Sequence, residues 1–451
     1  MPSSVIYQIE VPNPDGPSKL LEHPAPRTLA NLRWTQCPSG PNEPYTGYLP
    51  EVVQAESGKL LMGFQWRNPS TAPDTNEYGY AYSLSDESGM VWEPPRWASD
   101  DSFFTDKPVV TGSLGLAAIR PGLLTLNAMA GHPRWFATNA GRHWYPGQNV
   151  VLPQDLLPGF DSNPSRWEMW HPILIDRDAG NVTRLTETRW YRFNDPSAGR
   201  VHCRAVLWHS YPDQNGEIGQ KWEPSSLVLP KEWIGVSEVC LVRAKNNDLV
   251  AAVRTEPTID PPQPGDPTTD GSFDEYSGLG FSRSADNGAT WSPVRLAYPY
   301  GRYHSSLVVL DDGTIVCCHV NNHTYIRSPD GLPRFGVEAL VSKDHGYSWD
   351  FDHRYILWAW KGLIQGNPLQ TFYSGAWGTS SIVLGSGEIL TVFGTGYRNT
   401  GPNINNRVTH NDFYVVRWKV DPTLTYDPNG IFNKADVYSY QRNNLDPTPI
   451  C

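Results

Sequence analysis

The sequence has no apolar run near the roughly 18 residues that a membrane-crossing helix requires, so such a helix is excluded. Cysteine is scarce, 6 in 451 residues. Cys37, Cys203, Cys240, Cys317, Cys318 and Cys451 fall at none of the spacings that mark a metal site, and the adjacent Cys317 and Cys318, which would face opposite sides of a strand, read as core. Basic charge is in deficit: 36 Lys and Arg stand against 47 Asp and Glu, a net charge of −11, which argues against nucleic acid or an anionic membrane as partner. Helical periodicity is missing from every long stretch. The N-terminus, MPSSVIYQIE, lacks the apolar core of a signal peptide. Two sequons, Asn181-Val-Thr and Asn322-His-Thr, suit a secreted chain, so an extracellular protein whose leader is absent from this sequence is expected.

Turn formers and aromatics are abundant instead, with 41 Pro, 39 Gly, 18 Trp and 22 Tyr. They are organised. The stretch SRSADNGATW carries Asp286, Gly288 and Trp291, and SKDHGYSW repeats the pattern with Asp344, Gly346 and Trp349. Looser copies place Glu87, Gly89 and Trp92, then Asn139, Gly141 and Trp144, then Glu217, Gly219 and Trp222. Each reads as a corner in which the acid or amide bonds the amides of its own turn, glycine supplies a positive φ, and tryptophan plugs the space beneath.

Ahead of these corners lies a second repeat, an apolar run, a turn with glycine or a substitute, and another apolar run. The six copies are YLPEVVQAESGKLLMGF, GSLGLAAIRPGLLTL, WHPILIDRDAGNVTRL, SEVCLVRAKNNDLVAAVRT, YHSSLVVLDDGTIVCCH and WGTSSIVLGSGEILTVF. Such a hairpin followed by a second one closing on the Trp corner makes a four-stranded antiparallel blade, and radial repetition of blades gives a β-propeller. The expected fold is therefore all-β and a single domain over residues 1–451, with inner-strand repeats from about 45 to 420. Six blades are visible; a seventh is open to the termini through SVIYQIEV, RTLANLRW and ADVYSY.

Aligning the hairpins on their turns places two rows of residues at one mouth. The first row holds Tyr48, Trp170 with His171, Ser237 with Glu238, Tyr303 with His304, and Trp377; the second holds Arg67, His132, Arg189, Arg254, His323 and Arg398. A ring of cations on an acidic protein suits a ligand with a carboxylate, such as a uronate or a sialate, because guanidinium forks bind that group bidentately. The Pro-rich loop after Arg254, PTIDPPQPGDPTTDGSFDEY, leaves at the same mouth and reads as either a lid or plain surface.

The corner motifs and inner hairpins resemble the Asp-box propellers of the sialidase superfamily over residues 45 to 420. That resemblance implies carbohydrate chemistry in an axial cleft, with the Asp boxes at the opposite end. It also implies roles: Glu238 and Arg254 stand in the family's Glu-to-Arg relation, and Arg334 sits where a third arginine is found. The family's Arg-Ile-Pro triplet is replaced by Tyr48-Leu49-Pro50, which points away from a true sialidase. The residue types at the mouth look more like those of propeller-shaped uronate lyases, such as the fungal rhamnose-glucuronate lyases. On that reading Arg254 neutralises the uronate carboxylate, His171 and His304 transfer protons, Tyr303 assists, and Tyr48, Arg67, His132, Trp170, Arg189, His323, Arg334, Trp377 and Arg398 bind substrate. The alternatives are an exo-acting glycoside hydrolase of sialidase or exo-arabinanase type, in which Glu238 pairs with a loop acid such as Asp74, Glu77 or Glu187, and a lectin for acidic glycans. An acidic oligosaccharide or polysaccharide is the expected partner and the monomer the expected state; no cofactor is required, and a structural Ca2+ is compatible with the axis.

Overall fold

A computed structural model of the chain describes residues 6–13, 16–24, 27–28, 46–67, 78–93, 96–98, 114–127, 133–149, 173–195, 200–227, 236–255, 278–298, 302–322, 335–351, 355–359, 377–394 and 413–422. Almost all of this is strand, in chain order. An N-terminal hairpin comprises β1 (Ile6–Asn13) and β2 (Gly16–Pro24), and β3 (Arg27–Thr28) follows. Sheet I holds β4 (Thr46–Glu56), β5 (Lys59–Arg67), β6 (Tyr78–Asp86) and β7 (Arg96–Trp97). Sheet II holds β8 (Ala117–Arg120), β9 (Leu123–Leu126), β10 (Pro133–Thr138) and β11 (His143–Asn149). Sheet III holds β12 (Leu174–Asp178), β13 (Asn181–Asp195), β14 (Arg200–Ser210) and β15 (Glu223–Leu227). Sheet IV holds β16 (Val236–Arg243), β17 (Leu249–Thr255), β18 (Gly278–Ser284) and β19 (Arg295–Tyr298). Sheet V holds β20 (Arg302–Val309), β21 (Ile315–Asn322), β22 (Phe335–Ser342) and β23 (Tyr355–Ala359). Sheet VI holds β24 (Trp377–Val383), β25 (Ile389–Gly394) and β26 (Phe413–Trp418).

The six predicted hairpins are the first two strands of the six sheets; sheets I to V are antiparallel meanders of four consecutive strands, and sheet VI is antiparallel with three consecutive strands and one from elsewhere in the chain. Their turns share one backbone need. The last turn residue has φ between 72° and 92° at Gly58, Gly122, Gly180, Gly313 and Gly387, and Asn247, with φ 70°, fills the place in sheet IV because its short amide tolerates the left-handed region. Sheet VI takes its outer strand from the start of the chain, since β3 pairs with β26 through Tyr414–Thr28 and Val415–Arg27. RTLANLRW thus contributes to the sixth sheet and SVIYQIEV to a separate two-stranded hairpin; ADVYSY lies outside the described residues.

Strands such as Leu249–Thr255 are buried at every position because the sheets are covered on both faces, which is why the inner strands read as apolar runs. No sheet owns a core. Val316, Cys318 and Val337 of sheet V pack with Phe393, Val416 and Trp418 of sheet VI. Leu390 and Phe413 of sheet VI pack with Met62 and Phe64 of sheet I, and Leu61 and Tyr80 of sheet I with Leu124 and Trp144 of sheet II. Ile119 and Phe136 of sheet II meet Ile173 and Leu185 of sheet III; Leu207 of sheet III meets Leu249 and Val253 of sheet IV; Phe281 of sheet IV meets Ile315 and Leu340 of sheet V. Each large side chain buried in these layers contributes about 1.5–3 kcal/mol relative to exposure.

Hydrogen bonds tie the same six pairs together. Glu51 accepts the amides of Gly115 and Leu116 between sheets I and II, and Arg177 donates to the Ile119 carbonyl between III and II. Thr188 Oγ1 donates to the Val239 carbonyl (2.8 Å), and the Leu307 amide donates to Cys240 Sγ (3.2 Å). Thr379 Oγ1 donates to the His304 carbonyl (2.7 Å), and the Val52 amide donates to Ser380 Oγ (3.1 Å).

The corners behave as a structural element. Asp286 accepts the Thr290 amide at 2.8 Å, Ser284 accepts the Gly288 amide at 2.7 Å, and the Trp291 indole donates to the Gly288 carbonyl at 3.1 Å. The Thr290 hydroxyl and amide hold the Asp286 carboxyl down at about 2. The indoles of Trp92, Trp144 and Trp222 make the same bond to Gly89, Gly141 and Gly219, whereas Trp349 stacks on Phe281 at 3.9 Å. Two acids are corrected. Asp86, not Glu87, accepts the Ser88 amide, and Asp213, not Glu217, accepts the Asn215 and Glu217 amides, because an acid two residues ahead of a turn amide has the reach to close it.

Candidate functional site

Three of the inner strands carry one extra residue near their start, between Tyr48 and Glu51 in β4, Val236 and Val239 in β16, and Tyr303 and Ser306 in β20; a similar slip separates Trp377 and Thr379 in β24. A bulge bends the strand and re-aims its side chains. Its bulged residue takes left-handed φ at Leu49 (52°), His304 (53°) and Gly378 (69°). In sheet IV the bulge lies where Val236 pairs with Thr255 and Thr255 with Gly278, while the Asp286 corner follows the other end, where Arg243 pairs with Leu249 and Leu249 with Ser284. Bulges and corners thus stand at opposite ends of the sheet.

The bulges of β16 and β20 bring four predicted residues together across the boundary of sheets IV and V. Arg254 Nη1 lies 3.0 Å from Glu238 Oε1 and 3.4 Å from His304 Nε2, and His304 Nε2 lies 3.3 Å from Glu238 Oε2. The guanidinium carbon stands 4.8 Å from the centre of the Tyr303 ring, which meets the imidazole edge-on with centroids 4.4 Å apart. Tyr303 and His304 are buried, and the Arg254 and Glu238 side chains retain 9% and 10% of their surface. A carboxylate flanked by a guanidinium and an imidazole has its charge compensated in this low-dielectric setting. The group holds a cation, a carboxylate, a titratable ring and a phenol within contact of one another, which is the equipment of proton transfer beside an anionic ligand.

Arg189 belongs to a different buried group. Its Nε contacts Glu187 Oε1 at 2.5 Å, its Nη2 bonds Asn127 Oδ1 at 2.7 Å, and Arg134 of β10 pairs with the other oxygen of Glu187. Burial pulls the Arg134 guanidinium down to about 10. Glu187, a sequence candidate for the second acid of a hydrolase, is engaged by two arginines. A third group joins Arg302 Nε to Glu338 Oε2 at 3.1 Å and Asn321 Nδ2 to Glu338 Oε1 at 2.8 Å, with Arg302 over the Tyr298 ring.

Tyr48, Arg67 and Trp377 lie in β4, β5 and β24, with side chains outside the described set, and His132, Trp170, His171, His323, Arg334 and Arg398 lie outside the described residues, as do Asp74, Glu77 and the Pro-rich loop. Arg134, Arg302, Glu338 and Glu51 escaped the sequence reading. Their signal is an ion inside an otherwise apolar strand, as in YLPEVV and FGVEALVS. Cys317 and Cys318 are core, as expected, and burial pushes the Cys318 thiol up to about 11.

No protein-family profile matches the chain, and no curated protein sequence matches it. Solved structures do. A protein of unknown function from Dyadobacter fermentans superposes with a TM-score of 0.54 at 12% identity, over 88% of this chain and 100% of its own. The Hadza microbial sialidase Hz136 gives 0.51 at 13% identity, over 89% of this chain and 70% of its own. At such identities the likeness is one of fold alone: the chain is similar in fold to the Dyadobacter fermentans protein and to the Hadza microbial sialidase.

Proposed function

We propose that the chain is a closed six-bladed propeller and a secreted, carbohydrate-active enzyme that hydrolyses a terminal glycosidic linkage beside an acidic sugar. The observation that carries this reading is the Arg254, Glu238, His304 and Tyr303 group at the bulged end. A fold shared with a sialidase supports hydrolysis in particular. Glu238 and His304 act as the proton-transfer pair: the pair protonates the departing glycosidic oxygen, water adds to the anomeric carbon, and the proton lost by that water returns to the pair. Arg254 offers its charge to a substrate carboxylate, and Tyr303 backs the guanidinium through its ring face. This chemistry uses no metal.

A second reading is favoured by the contact of Arg254 with His304. A guanidinium on a uronate carboxylate acidifies the C5 proton; one of the imidazole and the phenol removes it while the other donates a proton to the departing C4 oxygen, leaving a C4–C5 double bond. One experiment separates the two: incubation with uronate- and sialate-terminated glycans, gum arabic among them, following absorbance near 235 nm, roughly where the unsaturated uronate absorbs, together with released sugar. Sugar release with flat absorbance supports hydrolysis, and release with rising absorbance replaces it by elimination. Binding without release would make the protein a lectin and overturn both.

A further inference from the structure

We propose that Thr379, on the neighbouring sheet VI, is the positioning residue that holds His304 in its working orientation; the inference rests on the reading of the Arg254 group as the active centre. The ladder between β20 and β21 passes from Tyr303–Val320 to Ser306–Cys318, so His304 and Ser305 form the bulge. His304 sits at φ 53°, a conformation that few side chains other than Asn, Asp and His accept. A residue in that region persists when its surroundings over-determine it. Here the constraint comes across the sheet boundary. Thr379 Oγ1 donates to the His304 carbonyl at 2.7 Å and stands 3.3 Å from the Cys318 carbonyl, so it pins the outgoing peptide of the bulge to the strand beside it. Thr379 is itself buried and follows Gly378, the left-handed residue of the β24 bulge, which sets its hydroxyl toward β20.

The imidazole direction follows from this peptide. A change in the His304 backbone swings the ring away from Glu238 Oε2 and Arg254 Nη1, which lie 3.3 Å and 3.4 Å from Nε2. Thr379 bonds the backbone of His304 and acts on the centre through it. The hydroxyl is therefore a device by which sheet VI sets the geometry of a centre made by sheets IV and V.

The test compares Thr379→Val, Thr379→Ala and Thr379→Ser in the full chain. Two readouts are taken: kcat and KM on a cleaved glycan, and the 1H–15N signals of the His304 imidazole, assigned with His304→Gln. Val and Ala should lower kcat by at least about 10-fold, toward the ~100-fold that a 1 Å misplacement costs, with KM within about twofold, and should move the imidazole signals. Ser, which keeps the hydroxyl, should restore both. Wild-type kcat and an unmoved imidazole in a folded Val or Ala variant would overturn the proposal. If the wild type cleaves none of the glycans, the reading of the site fails separately, and the imidazole signals alone still decide the role of Thr379. If Val melts below the assay temperature, Ala with its smaller side chain carries the comparison.

Discussion

Glu51 is a carboxyl group surrounded by backbone amides and packed protein, accepting Gly115 at 2.8 Å and Leu116 at 3.1 Å. The amides favour its charged form, but burial dominates and raises it to about 8, against about 4.5 for an ordinary glutamate. A folded value above the unfolded one means that stability is complete below about pH 4.5 and is lost as pH rises through about 8. Relative to Glu51→Gln, the wild type should therefore lose up to a few kcal/mol across that window in denaturant melts; parallel curves for the two proteins would refute the raised value. At the bulged end, Arg254→Ala removes the guanidinium from beside Glu238 in a site that is nine-tenths covered and leaves only the imidazole flanking the carboxylate, and should lower stability in thermal melts by up to about 3–5 kcal/mol, whereas Glu238→Gln should leave the melt closer to wild type while removing turnover. The aligned rows put Glu238, Arg254, Tyr303 and His304 at one mouth, among other residues, and their mutual contact is legible only in the fold. The roles of Glu51 and Thr379 were not legible, because each acts on a partner beyond its own sheet, and no local pattern names that partner.

The corner is the element whose logic is most local, and it was read best. Its glycine serves both φ and space: a Cβ on Gly288, at φ 93°, would stand 2.5 Å from Leu207 of the sheet before it. Gly288→Ala should destabilise by about 1–3 kcal/mol in thermal melts. Since the corner is at the far end of sheet IV from the bulge, kcat on folded protein should stay at the wild-type value; a lost kcat would mean that the two ends are coupled. The six hairpins were equally legible from their turn glycines, with Asn247 as the readable exception. The acids of the looser corners were misread for a physical reason. Loop length varies between Ser210 and Gly219, so spacing counted back from tryptophan lands on Glu217 while the reach of a carboxylate selects Asp213.

At the scale of the molecule, six shared cores replace one, so loosening any sheet exposes the layers on both its sides. RTLANLRW was one of three segments open to a closing blade, but its pairing with β26 in the sixth sheet was not legible, because two residues paired by backbone alone leave no pattern of side chains. The role of β3 can be measured by truncation. Removing residues 1–24 deletes the terminal hairpin but spares β3, and removing residues 1–28 also strips the partner from Tyr414 and Val415. The second truncation should melt at a lower temperature than the first and open residues 413–418 to protease; equal melting would show that the outer strand of sheet VI is dispensable.

The pairing of β3 with β26 also sets a timetable for synthesis. β3 ends at residue 28 and its partner begins at residue 413, a wait of roughly 20–80 s at about 5–20 residues per second. Sheets I to V can assemble in order of emergence, while β3 waits for its partner. During that wait its backbone edge is open to chaperones and to pairing with a neighbouring nascent copy.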